Sequence, residues 1–274
     1  MKRLAVLGHP VSHSRSPAMQ NAALEALGLA GEWSYEALDF DSGEFAERTG
    51  ALPGQGFVGA NVTIPHKGAA LELADDASEA AEEIGAANTL RFRDEVIRAE
   101  NTDAPGLLAA LPGPIDGLNA LVLGAGGSAR AAVWALAGQG AAVSVWNRTP
   151  ERADEIVRDL AKPSAEGRLR AVTGEQARGT GYALIVNCTT IGMGDEDPFE
   201  QLPLEAERLA GGIVVVDLVY AGSESRLVAE ARGRGATAVE GLEVLVRQGA
   251  ESLRIWTGME PPLDVMREAA RAAT

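Results

Sequence analysis

A glycine-rich turn between a predicted strand and a predicted helix is the feature that most restricts the fold of this chain. Leu118–Leu123 is an apolar run typical of a buried strand, and Ser128–Ala137 is rich in alanine, which favours a helix. Gly124 and Gly126 lie between these two segments, and Ala129 lies within the predicted helix. Together they fit the pattern G-x-G-x-x-(G/A). The glycines permit a tight turn and a close approach of pyrophosphate, and the small third residue lets the helix pack on the strand. The segment therefore predicts a dinucleotide-binding unit, with free amides at the start of the helix as phosphate donors.

The end of the next predicted strand indicates which dinucleotide is bound. Enzymes that use NAD usually have Asp or Glu there, to bind the ribose 2′-hydroxyl. Here Ala142–Trp146 is followed by Asn147, Arg148 and Thr149, with no carboxylate at the strand end. Arg148 and Arg152 can hold a 2′-phosphate, so we expect NADP. The alternative is a solvated turn in which Thr149 caps the next helix.

Composition excludes several other classes of function. The chain has 274 residues and a formal net charge of −15, from 24 basic and 39 acidic residues. Such a charge disfavours general binding to nucleic acid or to an anionic membrane surface. No apolar run approaches the roughly 18 residues of a membrane span, and the N-terminus lacks a signal-peptide pattern. We expect a soluble cytoplasmic protein that folds as about two domains.

The rest of the chain alternates short apolar runs with helical stretches, which predicts an α/β fold. The predicted strands are Lys2–Gly8, Trp33–Leu38, Gly56–Val62, Thr89–Arg93, Val96–Ala99, Leu118–Leu123, Ala142–Trp146, Leu169–Val172, Ala183–Asn187, Ile213–Leu218 and Thr237–Glu240. The first predicted helix has Ser16 as its N-cap and ends at Gly28. The others are Pro65–Ala74, Ser78–Gly85, Ser128–Ala137, Pro150–Ala161, Ser223–Gly233, Leu242–Trp256 and Leu263–Ala273.

Three polar clusters in the first 103 residues have no evident packing purpose. They are Ser12–Pro17, Asn61–Lys67, and the pair Asn88-Thr89 with Asn101–Asp103. Each follows a predicted strand or lies at a helix start, where side chains can converge on a cleft.

Together with the glycine-rich unit, these clusters resemble the shikimate dehydrogenase family over nearly the whole chain. Further matching segments are Gly8-His9-Pro10, Asn187-Cys188-Thr189, Gly192-Met193, Asp217–Tyr220 and Gln248-Gly249. The resemblance implies reversible NADPH-dependent reduction of 3-dehydroshikimate to shikimate, in aromatic amino acid (chorismate) biosynthesis. It also implies a discontinuous α/β substrate-binding domain, 1–103 plus 241–274, and a Rossmann-type NADP-binding domain, 104–240, with a central cleft.

The resemblance also implies roles for single residues. Ser14 and Ser16 would bind the substrate carboxylate, with Tyr220 close to it. Five residues would hold the ring hydroxyls and the reacting oxygen: Asn61, Thr63, Asn88, Asp103 and Gln248. The residues expected to bind NADP are Gly124, Gly126, Gly127, Ser128, Ala129, Asn147, Arg148, Thr149, Arg152, Thr189, Met193 and Gly241. The expected partners are small molecules only, and both a monomer and a homodimer remain open.

Lys67 and Asp103 carry the chemistry on this interpretation. Reduction of a ketone leaves an alkoxide, which needs a proton or a cation within hydrogen-bond reach, and Lys67 can supply either. Which of the two residues is the formal proton donor stays open. The plainer alternatives are a solvated lysine in a first helical turn and, for Asp103, a helix N-cap ahead of Pro105.

Other chemistries fit less well. The three histidines, His9, His13 and His66, match no metal-ligand spacing, so no metal site is expected. The one cysteine, Cys188, follows a buried strand and is expected to be a packed residue. Ser14 lacks the strand–turn–helix context of a hydrolase nucleophile.

Two rival functions remain open: a quinate/shikimate dehydrogenase that prefers NAD, and a non-catalytic NADPH-binding regulator. The chain departs from the family pattern at Gly222, where a proline is usual nearby, and at Val244, where methionine is frequent. Both departures bear on the expected ligand pockets, and neither touches Lys67 or Asp103.

Overall fold

A computed structural model describes residues 1–161, 167–194, 196–220 and 224–273. The chain divides into two compact units. The first is Met1–Gly106 with Leu245–Thr274, and the second is Leu107–Val244. The boundaries expected from the sequence, after 103 and after 240, lie three and four residues from these (106 − 103 and 244 − 240).

The bounds of the regular elements are as follows. The strands are β1 Lys2–Gly8, β2 Trp33–Asp39, β3 Phe57–Val62, β4 Asp76–Ala77, β5 Thr89–Arg93, β6 Val96–Glu100, β7 Asn119–Leu123, β8 Ala142–Trp146, β9 Leu169–Ala171, β10 Leu184–Asn187, β11 Val214–Asp217 and β12 Thr237–Glu240. The α-helices are α1 Ser16–Ala26, α2 Phe45–Gly50, α3 Lys67–Leu73, α4 Glu79–Ile84, α5 Asp103–Ala110, α6 Gly127–Gly138, α7 Pro150–Leu160, α8 Gly174–Ala177, α9 Pro198–Gln201, α10 Arg226–Gly233, α11 Gly241–Thr257 and α12 Leu263–Ala272.

The first unit contains a mixed sheet in the order β2-β1-β3-β5-β6-β4. β1 pairs in parallel with β2 and β3, whereas β5 is antiparallel to both β3 and β6. The carboxyl ends of β1 and β3 therefore share one edge of the sheet with the start of β5 and the end of β6. Each polar cluster found in the sequence follows or precedes a strand at that edge, so the topology brings them together.

The second unit contains a sheet in the order β12-β11-β10-β7-β8-β9, in which every described pairing is parallel. Its central strands are continuous apolar runs because both faces are covered, as in doubly wound α/β folds. Leu121, Val122 and Leu123 are fully buried. The strand order reverses between β7 and β10, and the loop at the carboxyl end of β7 is the glycine-rich turn. Ligands of such sheets bind at this switch point.

The α/β prediction is confirmed, and most predicted strands match within a residue. One cap was wrong: α1 begins at Ser16, its N-cap is Arg15, and no side chain makes the capping hydrogen bond. α3 begins at Lys67, two residues after the predicted Pro65. The predicted helix start at Ser223, like the departure at Gly222, lies outside the described residues, and α10 begins at Arg226 with Ser225 as its N-cap. The described helices include none long and apolar enough to cross a membrane.

Candidate active site

Lys67 and Asp103 form a buried ion pair in the first unit. Lys67 is the first residue of α3 and is 9% exposed, and Asp103 is the first residue of α5. Nζ of Lys67 donates to Oδ2 of Asp103, and Nδ2 of Asn88 donates to Oδ1 at 2.9 Å. Both carboxylate oxygens are thus held by side chains. The solvated lysine of the plainer interpretation is not observed.

Asp103 is not the cap of its helix either. The backbone N–H of Ala104 donates to Oδ1 of Asn101 at 3.2 Å, so the asparagine serves the helix start. Nδ2 of Asn101 donates to the carbonyl of Ala86 at 2.8 Å, which fixes this asparagine in turn. The carboxylate of Asp103 is therefore free of a capping role and faces Lys67.

Asn88 connects this pair to Gln248 on α11. Its Nδ2 lies 2.9 Å from Oγ1 of Thr102 and 3.1 Å from Oε1 of Gln248. Its Oδ1 accepts the backbone N–H of Thr102 at 2.7 Å. Asn88 and Gln248 are 2% and 8% exposed, so the contacts are made away from solvent. A helix from the end of the chain thus completes a cluster begun by the first 103 residues.

Asn61 on β3 is held by two residues that sequence reasoning missed. Its Oδ1 accepts from the hydroxyl of Tyr35 at 2.7 Å, and its Nδ2 donates to Oγ of Ser252 at 2.8 Å. Ser252 lies four residues after Gln248, on the same face of α11, and that spacing is the signal that could have found it. Tyr35 on β2 carries no comparable signal.

The remaining predicted substrate residues of this unit lie at the same sheet edge. Ser14 is half-buried just after β1, and its Oγ accepts the backbone N–H of Ser16 at 3.3 Å. Ser16 is 4% exposed at the start of α1. Thr63 follows β3, where its backbone N–H donates to the carbonyl of Leu7 at 2.8 Å. Hydroxyls beside the free amides of a helix start suit a carboxylate.

In the second unit, the glycine-rich turn has the geometry of a phosphate cradle. Gly124 has φ +109°, which a residue with a side chain rarely adopts. Gly126 is the N-cap of α6, and a Cβ on it would meet no atom within 4 Å. Gly127 and Ser128 form the first turn of the helix, and Ala129 is fully buried beneath it. Open space thus adjoins the start of the helix at Gly126.

The turn after β8 lies beside this cradle. Leu123 pairs with Trp146, and the N–H of Gly124 donates to the carbonyl of Trp146 at 2.8 Å. Arg148 and Arg152 are exposed, and Nδ2 of Asn147 donates to the carbonyl of Thr149 at 2.9 Å. Thr149 occupies the N-cap position of α7, but its side chain makes no capping hydrogen bond. The alternative interpretation, in which Thr149 caps this helix, therefore holds for the position and not for the side chain.

The segments after β10 and β12 hold the other predicted cofactor residues, and the loop after β11 holds Tyr220, a predicted substrate residue. Thr189 follows β10, and its hydroxyl donates to Oδ1 of Asn187 at 2.7 Å. Met193 is 53% exposed. Gly241 is the first residue of α11, and Tyr220 lies three residues after β11. No metal-binding group of three His, Cys, Asp or Glu occurs in the part of the chain that the structure describes.

Three family models match the chain. The model described as the shikimate dehydrogenase substrate binding domain matches residues 6–90. The shikimate/quinate 5-dehydrogenase model matches 108–172, and the shikimate 5′-dehydrogenase C-terminal domain matches 241–271. A curated shikimate dehydrogenase (NADP(+)) from a strain of Thermus thermophilus is 46% identical over 282 residues, covering 100% of this chain and 99% of the relative. The chain belongs to the shikimate dehydrogenase family.

Solved structures agree with this family. A shikimate 5-dehydrogenase from Thermus thermophilus, in complex with NADP(H) and shikimate, superimposes with a TM-score of 0.85 at 42% identity over the full length of both chains. Shikimate dehydrogenase from Aquifex aeolicus superimposes with a TM-score of 0.89 at 34% identity, covering 99% of this chain and 98% of that one. The resemblance seen in the sequence is confirmed, and the chain is an oxidoreductase of the shikimate pathway.

Proposed function

We propose that the chain catalyses the reversible, NADP-linked interconversion of 3-dehydroshikimate and shikimate. The observation that carries the proposal is the buried Lys67–Asp103 pair, held in place by Asn88. A carbonyl-to-hydroxyl conversion needs a proton exchanged at the reacting oxygen, and this pair is a proton-exchanging group away from bulk water. A regulator that only binds a dinucleotide has no use for such a pair.

Substrate recognition falls to the first unit. Ser14 and Ser16 stand where a carboxylate would meet two hydroxyls and the amides of α1. Asn88, Thr63 and Gln248 offer hydrogen bonds to ring hydroxyls. Asn61 keeps one lone pair on Oδ1, because an amide oxygen accepts two hydrogen bonds and Tyr35 uses one. Tyr220, which the sequence places near the carboxylate, stays a prediction.

The residues of the second unit fit NADP. The open space at Gly126 admits a pyrophosphate against the amides of Gly127 and Ser128, and Ala129 keeps the helix close to the strand. Arg148 and Arg152 supply charge for a 2′-phosphate, with Asn147 and Thr149 beside them. Thr189, Met193 and Gly241 are proposed to flank the nicotinamide. When bound, NADP would accept or give the hydride, a hydrogen with its pair of electrons, that leaves or joins the substrate carbon.

Lys67 and Asp103 act on the substrate oxygen. In oxidation, the O–H bond of shikimate breaks as the C=O bond forms, and the proton passes to the pair. In reduction, the pair returns a proton to the oxygen, and the ammonium of Lys67 stabilises the negative charge that develops there. Asn88 keeps Asp103 oriented in both directions through its 2.9 Å hydrogen bond.

The test is absorbance at the nicotinamide band while the purified protein oxidises shikimate or quinate, each with NADP and with NAD. We expect turnover with shikimate and NADP to exceed turnover with shikimate and NAD by at least about tenfold, since only NADP can engage Arg148. Comparable turnover of quinate, or a preference for NAD, would favour the broader quinate/shikimate class. NADPH binding without turnover would favour the regulator.

A further inference from the structure

A buried carboxylate in the second unit has no part in the proposed chemistry. Asp217, the last residue of β11, is 1% exposed. Its Oδ1 accepts from Nδ2 of Asn187 at 2.9 Å and from the backbone N–H of Val219 at 3.2 Å. Its Oδ2 accepts from Oγ of Ser225 at 2.6 Å. Burial raises the pKa of the Asp217 carboxyl, and these three donors oppose the rise. Because burying a charged group costs free energy, we expect Asp217 to have a role beyond packing.

The carboxylate fixes the orientation of Asn187, the last residue of β10. A carboxylate only accepts hydrogen bonds, so the NH₂ group of Asn187 must face Asp217. The amide oxygen then faces the opposite way, where it accepts the backbone N–H of Thr189 at 3.1 Å and its hydroxyl at 2.7 Å. The hydroxyl oxygen of Thr189 in turn accepts the N–H of Ile191 at 3.1 Å.

This relay shapes the turn 187–191. Asp217, together with the carbonyl of Ile191 at 3.4 Å from Nδ2, orients the amide of Asn187, which in turn orients the hydroxyl of Thr189. The turn contains Thr189, one of the proposed NADP-binding residues. Reversal of the Asn187 amide would place NH₂ against the N–H of Thr189, donor against donor. The turn would then have to open or lose both hydrogen bonds.

The backbone of Asp217 supports a second cofactor segment. A Cβ on Gly241 would lie 2.8 Å from the carbonyl oxygen of Asp217 and 2.5 Å from that of Leu218. The start of α11 therefore rests on the end of β11. Asp217 thus contacts both cofactor segments: its side chain bonds to Asn187 in the turn 187–191, and its carbonyl lies against Gly241 at the start of α11.

We propose that Asp217 is a positioning residue for NADP binding, which acts through Asn187 to set the turn that carries Thr189. This rests on the proposed function, because Thr189 is assigned to the cofactor only there. Asp217 itself does not act on the substrate, and its effect is confined to cofactor affinity.

The test is Asp217→Ala, with NADPH and shikimate affinities measured separately by fluorescence and calorimetry well below the unfolding temperature. The variant removes both acceptor oxygens, so the NH₂ group of Asn187 keeps only its 3.4 Å contact with the carbonyl of Ile191. We expect NADPH affinity to fall about tenfold, the effect of misplacing a small set of hydrogen bonds, while shikimate affinity stays within about twofold.

A conservative variant of the same residue separates positioning from mere loss of stability. In Asp217→Asn, the amide oxygen can still accept from Asn187 and Val219, while the NH₂ group turns to Ser225, whose hydroxyl can accept. We expect Asp217→Asn to keep most of the NADPH affinity that Asp217→Ala loses, whereas Asn187→Asp, with two facing carboxylates, should lose it.

Ser225→Ala is the matched control, because it removes the hydrogen bond to Oδ2 of the same carboxylate without touching Asn187. It should lower the unfolding temperature and leave NADPH affinity within about twofold. An equal loss in Asp217→Ala and Ser225→Ala, no loss in Asp217→Ala, or an equal loss in Asp217→Ala and Asp217→Asn would each overturn the inference. A wild-type protein that fails to bind NADPH would instead overturn the proposed function on which it rests.

Discussion

The proposed site of the first unit consists mainly of side-chain groups, and that of the second unit mainly of backbone groups. In the first unit, side chains from β3, β5, α3, α5 and α11 meet in a hydrogen-bonded cluster around Lys67 and Asp103. In the second, the proposed cofactor site is mostly backbone, with the turn at Gly124, the amides of α6, and loops that follow parallel strands. The difference matches what each unit is proposed to recognise. A small polyhydroxylated acid is distinguished by its hydroxyls, whereas a pyrophosphate needs amides and open space.

The comparison predicts different vulnerabilities. A cluster of buried polar side chains depends on every member, because the loss of one leaves its partners without hydrogen bonds. A backbone site tolerates many side-chain changes, but it fails where a Cβ enters the ligand's space.

Lys67→Ala should abolish most of the activity. We expect kcat for shikimate oxidation to fall by about 100-fold or more, with a smaller change in KM, because the interaction is strongest in the transition state. Lys2→Ala, an exposed lysine of the same unit that lies over the ring of Trp33, is the control and should keep kcat. Near-normal kcat in Lys67→Ala would remove the proposed mechanism.

Arg148→Ala should separate the two dinucleotides. We expect the KM for NADP to rise about 30-fold and the KM for NAD to change little, since only NADP carries the 2′-phosphate. Arg178→Ala, an exposed arginine at the end of α8 in the same unit, should alter neither. Equal losses for both cofactors would show that Arg148 acts elsewhere than at the phosphate.

Two glycine variants contrast the units directly. In α5, a Cβ on Gly106 would lie 2.7 Å from both the backbone nitrogen and Cβ of Gln248, so Gly106→Ala should destabilise the fold by about 1–3 kcal/mol. Gly126→Ala meets no protein atom and should leave the unfolding temperature unchanged while weakening NADPH binding. Thermal unfolding with and without NADPH measures both. The same stability loss in both variants would contradict the comparison.

An exposed pair at the end of β1 should give the smallest effect. The side-chain hydrogen bond to Asp39, 2.6 Å from Nδ1, raises the pKa of His9 above its usual 6.5, and the same bond lowers the pKa of Asp39. The stabilisation from His9 is complete below pH 6.5 and is lost as pH rises through the raised pKa. That from Asp39 is lost as pH falls through its lowered pKa. NMR titration of His9 should show a midpoint above 6.5, which Asp39→Asn should bring down. An unchanged midpoint would rule out the pairing.

Sequence patterns were sufficient to predict the central strands of the parallel sheet, because these strands are continuous apolar runs between turns. They missed the eight-residue helix α5. They also missed α2, α8, α9 and the two-residue strand β4, which are too short to show a period. The placement of Ser16 as a cap failed by one residue, since Ser and Pro at a helix start look alike whether the serine is the cap or the first helical residue.

The side-chain cluster was less predictable than the glycine turn. The turn is local, so the strand, the glycines and the helix can be found in one stretch of sequence. Asn61 and Ser252 are 191 residues apart, and no spacing along the chain joins them before the fold is known. The resemblance to the family supplied Asn61 and Gln248, whereas Tyr35 and Ser252, which hold Asn61 in place, came only from the structure.

The proposed division of work, with substrate recognised in the first unit and NADP in the second, is tested by isothermal titration of shikimate and of NADPH into Ser14→Ala and Arg148→Ala. We expect Ser14→Ala to lose about tenfold in shikimate affinity and nothing in NADPH affinity. We expect Arg148→Ala to lose about 30-fold in NADPH affinity and nothing in shikimate affinity. A variant that weakened both ligands equally, or the wrong one, would show that the two ligands are not recognised separately.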